Sequence, residues 1–346
     1  MTVRWTVLSR WILPIVGSAL AVVLIFWLYR DLDVAHFLTV TREAEVAWLI
    51  PLGATILFEQ LVRSWKWRQI LFDLKPIPTL RLFGAVLAGY GAAAVVPLGI
   101  SPLVRAWLIA RLEGLRMAAV LVTTAIERFV DGMVFALIAG FVAVAAALPA
   151  MDGDARTGLM IAGGLSFFLF AGLMRLLFLG RSALVRDESW LGRAVDRVAS
   201  WGGARFAGLR DALAEGIVWP RSKARRVGVV AAAMTMKAVA ATHFVWSGLA
   251  VGVLLEPMDY LFLMVVAGFA LVLARFVRVP GGFVIGAGFA LHVLGVPAED
   301  ALAMILFNHI LSLVLVVGLG LTVLWRSGIE IRTTARALKS DTDGTG

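Results

Sequence analysis

Two carboxylates and an arginine stand close together in the apolar stretch TTAIERFVDG. Glu127, Arg128 and Asp131 occupy positions i, i+1 and i+4, so a helix places both carboxylates on one face and Arg128 within reach of Asp131. Ionised groups in an apolar segment need a partner, a wet cavity or a route to the surface. The spacing therefore predicts an ion network that either fixes the contact between two helices or handles protons or a charged ligand.

Three further arginines lie beside two Pro/Gly breaks, at 97–99 and 280–282. Guanidinium groups pair bidentately with phosphate, so convergence of the two breaks would create a site for an anionic headgroup. The alternative is that Arg105 pairs with a carboxylate such as Glu59 and that Arg278 reaches the polar surface. The candidate binding residues are Arg105, Arg275, Arg278, Pro97, Gly99, Pro280, Gly281 and Gly282.

A second polar set, Lys237, Asn308 and His309, also stands in apolar sequence, and we assign it to the same intramembrane charge network. Asn308 and His309 fall on Glu127 and Arg128 when Pro97 is aligned with Pro280 and a shift of two residues is allowed after the breaks. The chain has no cysteine, which excludes disulfides and Cys-based metal sites. Phosphate-loop, zinc-protease and nucleophile-elbow motifs are absent. We therefore expect no metal, no cofactor and no catalytic residue, and we do not expect an enzyme.

The composition requires a lipid environment for the elements that hold these residues. Hydrophobic residues make up 61% of the 346 positions and charged residues only 16%, with a mean hydropathy of +0.91. Soluble domains keep about a quarter of their residues charged. We therefore expect an all-α, polytopic integral membrane protein that forms a single membrane domain over 1–346. The predicted spans are about 11–28, 46–62, 117–148, 158–178, 227–255 and 301–324.

The distribution of charge predicts the topology. Basic residues gather near both ends, in 63–81, at Arg111 and Arg116, and in 181–226. The connections 30–46, 149–157, 256–260 and 297–300 are mainly acidic, which places both termini in the cytoplasm. That orientation is consistent only if 81–112 and 261–296 are re-entrant hairpins that turn at the two breaks. The units 81–148 and 261–324 then form an inverted repeat, a plan typical of secondary transporters. The tail 327–346 is polar, and we expect it to be disordered.

The basic segment 181–226 mixes tryptophans and aliphatic residues with arginines. This pattern suits amphipathic helices on anionic headgroups, although a basic linker that only fixes orientation would look similar. The segment is also a candidate docking site for lipid-biosynthesis enzymes. Membrane topology explains the net charge of +9, so we expect membrane lipids and not nucleic acid as partners.

The runs GYGAAAVVPLGISPLVRAWLIARLEG, TTAIERFVDG and VPGG…LGVPAEDAL resemble a known family. It is the flippase-like membrane region of lysylphosphatidylglycerol synthases and of stand-alone relatives that lack the synthase domain, and the similarity covers roughly 45–325. The resemblance implies lipid transport or accommodation between leaflets of the bacterial inner membrane. The resemblance carries the family's motif residues onto Pro97, Arg105, Glu127, Arg128, Asp131, Pro280, Gly281 and Gly282.

This chain departs from the family pattern in both hairpins, which marks it as a divergent member. Ser101-Pro102 stands where the family has Gly-Glu, and Ala287 replaces an expected glutamate. The loss of two carboxylates favours an anionic phospholipid or an isoprenoid lipid over a cationic headgroup. Two alternatives stay open: a membrane enzyme on a lipid phosphate, with Glu127 or Asp131 as general base, and a non-transporting scaffold of a lipid-modifying complex.

Overall fold

The computed structural model describes residues 3–96, 100–145, 153–186, 189–201, 208–277 and 279–327, and of these the side chains of 3–15, 155 and 275–277 are left out of the description. Within these ranges the chain is helical and contains no strand. The helices are α1 (Val3–Tyr29), α2 (Val34–Glu43), α3 (Leu49–Leu71), α4 (Thr79–Val95), α5 (Ser101–Glu113), α6 (Met117–Ala145), α7 (Gly153–Val185), α8 (Trp190–Trp201), α9 (Leu209–Gly216), α10 (Lys223–Ala250), α11 (Pro257–Val277), α12 (Gly282–Val293), α13 (Ala298–Ser312) and α14 (Gly318–Arg326).

In the part of the chain that the structure describes, six helical segments are long and apolar enough to cross a membrane, which confirms the all-α polytopic class. They are Val46–Leu71, Met117–Ala145, Arg156–Val185, Lys223–Ala250, Pro257–Ala274 and Ala298–Arg326. A π-helical segment, Leu313–Val317, joins α13 to α14. Pro257–Ala274 falls in the stretch assigned to the second re-entrant hairpin. The first predicted span, 11–28, lies within α1. The re-entrant depth of both hairpins stays a prediction.

The second predicted span was too short. Its end was set at residue 62 because charged residues follow, yet α3 continues without a break to Leu71. The added turns carry Arg63 and Lys66, which are 8% and 0% exposed. Both side chains are shielded by neighbouring helices, so the charges do not end the helix.

The first break separates two helices that pack against each other. Helix α4 ends at Val95, and α5 starts at Ser101 with Pro102 in its first turn, where a missing N–H is tolerated. A Cβ atom on Gly89 would lie 2.8 Å from the Ser101 carbonyl oxygen, so only glycine allows this approach. The two helices therefore form a tight hairpin, as the break predicts.

An ion cluster closes the open end of this hairpin. Lys75 Nζ lies 2.9 Å from Glu113 Oε2 and donates to the Glu113 carbonyl oxygen at 2.7 Å, and Arg81 forms an ion pair with the same carboxylate. Hydrogen bonds from Arg81 and Lys75 hold the pKa of the Glu113 carboxyl below its usual range. The cluster joins the end of α5 to the start of α4.

The second hairpin is built on the same plan with closer contacts. Gly281 turns the chain with φ +73° between α11 and α12, a conformation that favours glycine. A Cβ atom on Gly282 would lie 2.2 Å from Cβ of Ala274, and one on Gly286 would lie 2.2 Å from Cβ of Ala270. The small residues let the two helix backbones approach closely, as at interfaces in membranes.

The order of elements after each break is the same. A short helix, α5 or α12, is followed by a left-handed glycine, Gly114 or Gly295, and then by a long helix that starts at Met117 or Ala298. Equal numbers of residues separate these landmarks in the two copies, and in that register Asn308 corresponds to Glu127. The inverted orientation of the copies stays a prediction.

Contacts divide the chain into two compact units. The first is Met1–Thr55, Leu137–Gly163 and Lys237–Leu311, and it contains the second hairpin. Helix α1 packs there against α11 and α12, and the backbone N–H of Asp33 donates to Glu299 Oε1 at 2.8 Å.

The second unit is Ile56–Ala136, Gly164–Met236 and Ser312–Gly346, and it contains the first hairpin. Its core gathers around Trp67, Leu82, Ile109 and Leu324. Helix α4 crosses α14 where Gly91 and Gly320 meet. Every residue of the charge cluster described next belongs to this unit.

Candidate functional site

Helix α3 presents three ionised side chains on one face. Glu59, Arg63 and Lys66 follow one another at i, i+4 and i+7, which aligns them along a helix. Arg63 Nη2 donates to Glu59 Oε1 at 2.9 Å. Lys66 is fully buried, so its ammonium must find its partners on other helices.

Those partners come from α6 and α5. Glu127 and Asp131 lie one turn apart on the same face of α6, as their spacing predicts. The structure turns this face toward α3. Lys66 contacts both carboxylates: it forms an ion pair with Asp131, and its Nζ lies 3.4 Å from Glu127 Oε1. Arg105 on α5 approaches from the other side, with Nη2 2.7 Å from Glu127 Oε2.

The contacts join six side chains in a line of alternating charge, which we call the buried charge chain. The weakest link joins Arg63 Nη1 to Asp131 Oδ2 at 3.8 Å. Three cations face three carboxylates, so the formal charges cancel when all are ionised. In order, the members are Arg105, Glu127, Lys66, Asp131, Arg63 and Glu59.

Burial makes this balance necessary. Arg105 is 2% exposed, and Lys66 and Glu127 are not exposed at all. Removing one member of a buried ion pair typically costs about 3–5 kcal/mol, because the remaining charge is left without a partner in a medium of low dielectric constant. The position of each cation is therefore tied to that of its carboxylate.

Trp67 supports the end of the chain that carries Arg105. The guanidinium carbon of Arg105 lies 4.8 Å from the centroid of the Trp67 ring, a cation–π contact. The indole N–H donates to Thr123 Oγ1 at 3.0 Å, and Thr123 Oγ1 donates to the Val120 carbonyl oxygen at 2.6 Å. Trp67 thus ties α3 to both α5 and α6. A tryptophan just after an apolar run is typical of the membrane interface, but the side chain of Trp67 is completely buried.

Part of the hydrogen-bonding capacity of the two arginines is unused. Nε of Arg105 and Nε of Arg63 are buried and have no hydrogen-bond partner among the described residues. Nη2 of Arg105 is close to Glu127 Oε2, but the two groups are not aligned as a hydrogen bond. Arg105 therefore makes a mainly electrostatic contact and keeps donor groups that an additional acceptor could engage.

The structure places the remaining members of the predicted network as follows. Arg128 is half-buried on α6. Lys237 on α10 is half-buried, and Asn308 on α13 is buried; both belong to the first unit. His309 stacks on Phe283 at 5.5 Å between ring centroids. Their membership of one functional network stays a prediction.

The residues predicted to bind substrate are described in part. Pro97, Gly99 and Arg278 lie outside the described residues, and Arg275 is described only as a backbone position in α11. Pro280, Gly281 and Gly282 form the turn and the first close contact of the second hairpin. Their contact with a substrate stays a prediction, as does that of Arg105. Within the described residues, no group of acidic or histidine side chains is arranged to hold a metal ion.

Sequence reasoning missed Arg63 and Lys66 as members of the site. Both were treated only as topology markers, since they follow the predicted end of a span. Their spacing from Glu59 on one helix face was the signal that would have found them. Glu59 had been named as a partner for Arg105, but the structure pairs Arg105 with Glu127.

Comparison with known families agrees with the architecture that holds this site. The family model described as the lysylphosphatidylglycerol synthase TM region matches residues 14–320. The match spans both hairpins and all six members of the buried charge chain. The chain belongs to this family. No curated protein and no solved structure matches it.

Membership in the lysylphosphatidylglycerol synthase TM-region family confirms the resemblance found in the sequence. It indicates a multi-pass membrane protein with a lipid-related function. The buried charge chain lies inside the matched region, next to the first Pro/Gly-broken hairpin.

Proposed function

We propose that this protein moves an anionic lipid between the leaflets of a bacterial inner membrane, with both termini cytoplasmic, and that Arg105 engages the lipid headgroup. The observation that carries the proposal is the pairing of Arg105. This arginine stands on one arm of a hairpin, is held by Glu127 at 2.7 Å and keeps a buried Nε without a partner.

Arg105 can exchange Glu127 for another anion because Glu127 has a second cationic partner in the buried charge chain. Phosphate is an alternative partner for a guanidinium group and accepts a bidentate contact. When Arg105 turns to a phosphate, Glu127 keeps Lys66, whose Nζ lies 3.4 Å from Glu127 Oε1. No member of the chain is then left as an isolated charge, which avoids the largest penalty of breaking a buried pair.

The exchange requires α5 to shift relative to α6. Helices α4 and α5 are separated by a break, so α5 can shift without unwinding a continuous helix. Glu127 and Asp131 act here as ion-pair partners of the cations and not as general bases, and no chemical step on the lipid is required. The loss of family carboxylates at Pro102 and Ala287 supports an anionic rather than a cationic headgroup.

The test uses purified protein in liposomes that contain a fluorescent phosphatidylglycerol. Movement to the outer leaflet is measured by chemical quenching with an impermeant reductant. Arg105→Ala is expected to abolish movement, while Arg111→Ala leaves it intact. Arg111 lies on the same helix but is exposed and stacks on Trp107, so it is a matched control.

A second variant separates transport from folding. Arg105→Gln combined with Glu127→Gln removes one cation and one carboxylate, so the charges of the chain still cancel and the fold is expected to persist. Movement of the anionic lipid should nevertheless be lost, because an amide does not provide the guanidinium fork. Normal transport by this double variant, with unchanged thermal stability, would disprove the role of Arg105.

A further inference from the structure

Helix α8 presents an exposed apolar ridge beside a basic face. Trp190, Val198 and Trp201 lie on one side of the helix and are 74%, 54% and 81% exposed. Arg193 and Arg197 stand on the adjoining side and are also exposed. Large aromatic side chains this exposed at both ends of one helix require an environment other than water.

The side of α8 that carries Leu191 and Gly192 packs against the rest of the protein. Gly192 is buried, and Leu191 lies against the end of α7, where a Cβ atom on Gly180 would be 3.7 Å from Leu191 Cδ2. Arg210 on α9 donates from Nε to the Leu184 carbonyl oxygen at 2.5 Å and lies 3.4 Å from Asp196 Oδ2 through Nη1. Helix α8 is thus docked through one face, and the ridge faces away from that contact.

We propose that α8 lies in the bilayer interface and binds anionic phospholipid headgroups. Its apolar ridge enters the region of the acyl-chain carbonyls, and Arg193 and Arg197 contact phosphate groups. Tryptophan is enriched at that depth because its ring is apolar and its N–H is polar. An amphipathic helix with arginines on its polar side is typical of such surfaces.

Charge and position favour a lipid surface over a protein partner. Arg181 and Arg186 are also exposed on the stretch of chain just before α8, so four exposed arginines lie between positions 181 and 197. The apolar span Arg156–Val185 ends only a few residues before α8 begins, which keeps α8 near the membrane surface. A cluster of arginines immediately beside a span is a pattern that recognises anionic lipids. The proposal does not depend on lipid movement by Arg105.

The absence of cysteine from the chain allows a direct test. Single variants Val198→Cys and Ser200→Cys are labelled with an environment-sensitive fluorophore and reconstituted into vesicles. The two positions are exposed, lie two residues apart and point to opposite sides of α8. The label at 198 should emit as in an apolar medium and be quenched by brominated lipid, whereas the label at 200 should remain in water.

The contribution of charge is tested by vesicle composition. Quenching at 198 should be stronger in phosphatidylcholine mixed with phosphatidylglycerol than in phosphatidylcholine alone. Arg193→Gln with Arg197→Gln should remove most of that difference. In anionic vesicles, the loss of each arginine should lower the ratio of membrane-docked to undocked α8 roughly fivefold. Trp190→Ser with Trp201→Ser should reduce quenching in both kinds of vesicle.

Two results would overturn the proposal. The first is equal, water-like emission at 198 and 200 in anionic vesicles, which would leave the ridge for a protein such as a lipid-biosynthesis enzyme. The second is quenching at 198 that is the same with and without phosphatidylglycerol, which would remove the headgroup contact. Both readouts are independent of the lipid-movement assay, so failure here and failure of the proposed function are distinguishable.

Discussion

Lys66 occupies the centre of the buried charge chain because it touches carboxylates on both sides. Its ammonium contacts Asp131 and Glu127, while Arg63 and Arg105 each contact one of these two carboxylates. The side chain is completely buried. Lys66 therefore separates two like charges that stand one helical turn apart.

Lys66→Met is expected to lower the free energy of unfolding by about 3–5 kcal/mol, because it leaves the two carboxylates with too little positive charge in a buried site. Unfolding in detergent, followed by intrinsic fluorescence, measures the change. Lys223→Met is the control, since Lys223 is exposed at the start of α10.

Combining Lys66→Met with Asp131→Asn should recover most of that stability. The double variant leaves Arg105 with Glu127 and Arg63 with Glu59, so the remaining charges cancel again. If the single variant Lys66→Met were as stable as the wild type, the chain of ion pairs would not be a structural necessity.

Glycine contacts determine how closely the helices of the second unit approach. Where α4 crosses α14, a Cβ atom on Gly320 would lie 2.2 Å from the Leu87 carbonyl oxygen, and one on Gly91 would lie 2.7 Å from the Gly320 carbonyl carbon. No side chain fits between these backbones. Helix α4, the arm of the hairpin that precedes α5 and Arg105, is therefore packed directly against α14.

Gly320→Ala is expected to destabilise the protein, whereas Gly318→Ala is expected to be neutral or stabilising. Alanine in a helix interior is usually favoured over glycine by roughly 0.5–1 kcal/mol, and a Cβ atom on Gly318 would meet nothing within 4 Å. Gly318 is thus a control on the same helix, two residues away.

Thermal unfolding of both variants in detergent provides the measurement. The added Cβ atom at Gly320 clashes with backbone, so α14 has to move. The resulting loss of stability should exceed the stability gained from the higher helix propensity of alanine. Equal stability of the two variants would show that α4 and α14 are further apart than described.

Distribution of charge over the whole chain determines how the protein sits in the membrane. Arginines and lysines concentrate near both ends and in 181–226, and the connection that holds Asp31 and Asp33 is acidic. Such a bias sets orientation during insertion. The proposals for Arg105 and for α8 both assume the orientation that this bias predicts.

Single cysteines in the natural cysteine-free chain test that orientation. Asp31→Cys and Ser200→Cys are both on exposed side chains, so each should react with an impermeant maleimide. Asp31→Cys is expected to react in intact cells, and Ser200→Cys only in inverted vesicles. Reaction of both from the same side would refute the predicted topology.

The amino-acid sequence was enough to show that the chain lies in a lipid bilayer, that it is helical and that it resembles a known family. Hydropathy, the Pro/Gly breaks and the short motifs are local properties, and each is read without knowing what the segment contacts. For the same reason the hairpin at Gly281 and the helix face shared by Glu127 and Asp131 were predicted correctly. Helix ends were less certain where charges occur, as the continuation of α3 beyond residue 62 shows.

Partners that are distant along the chain were decided only by the tertiary structure. Lys66 and Asp131 are 65 residues apart, and the sequence alone gave no reason to join them. In the sequence, a charged residue after an apolar run looks the same whether it lies at the membrane surface or is buried against another helix. The choice depends on packing between helices, and packing made Arg63, Lys66 and Trp67 part of the site that holds Arg105.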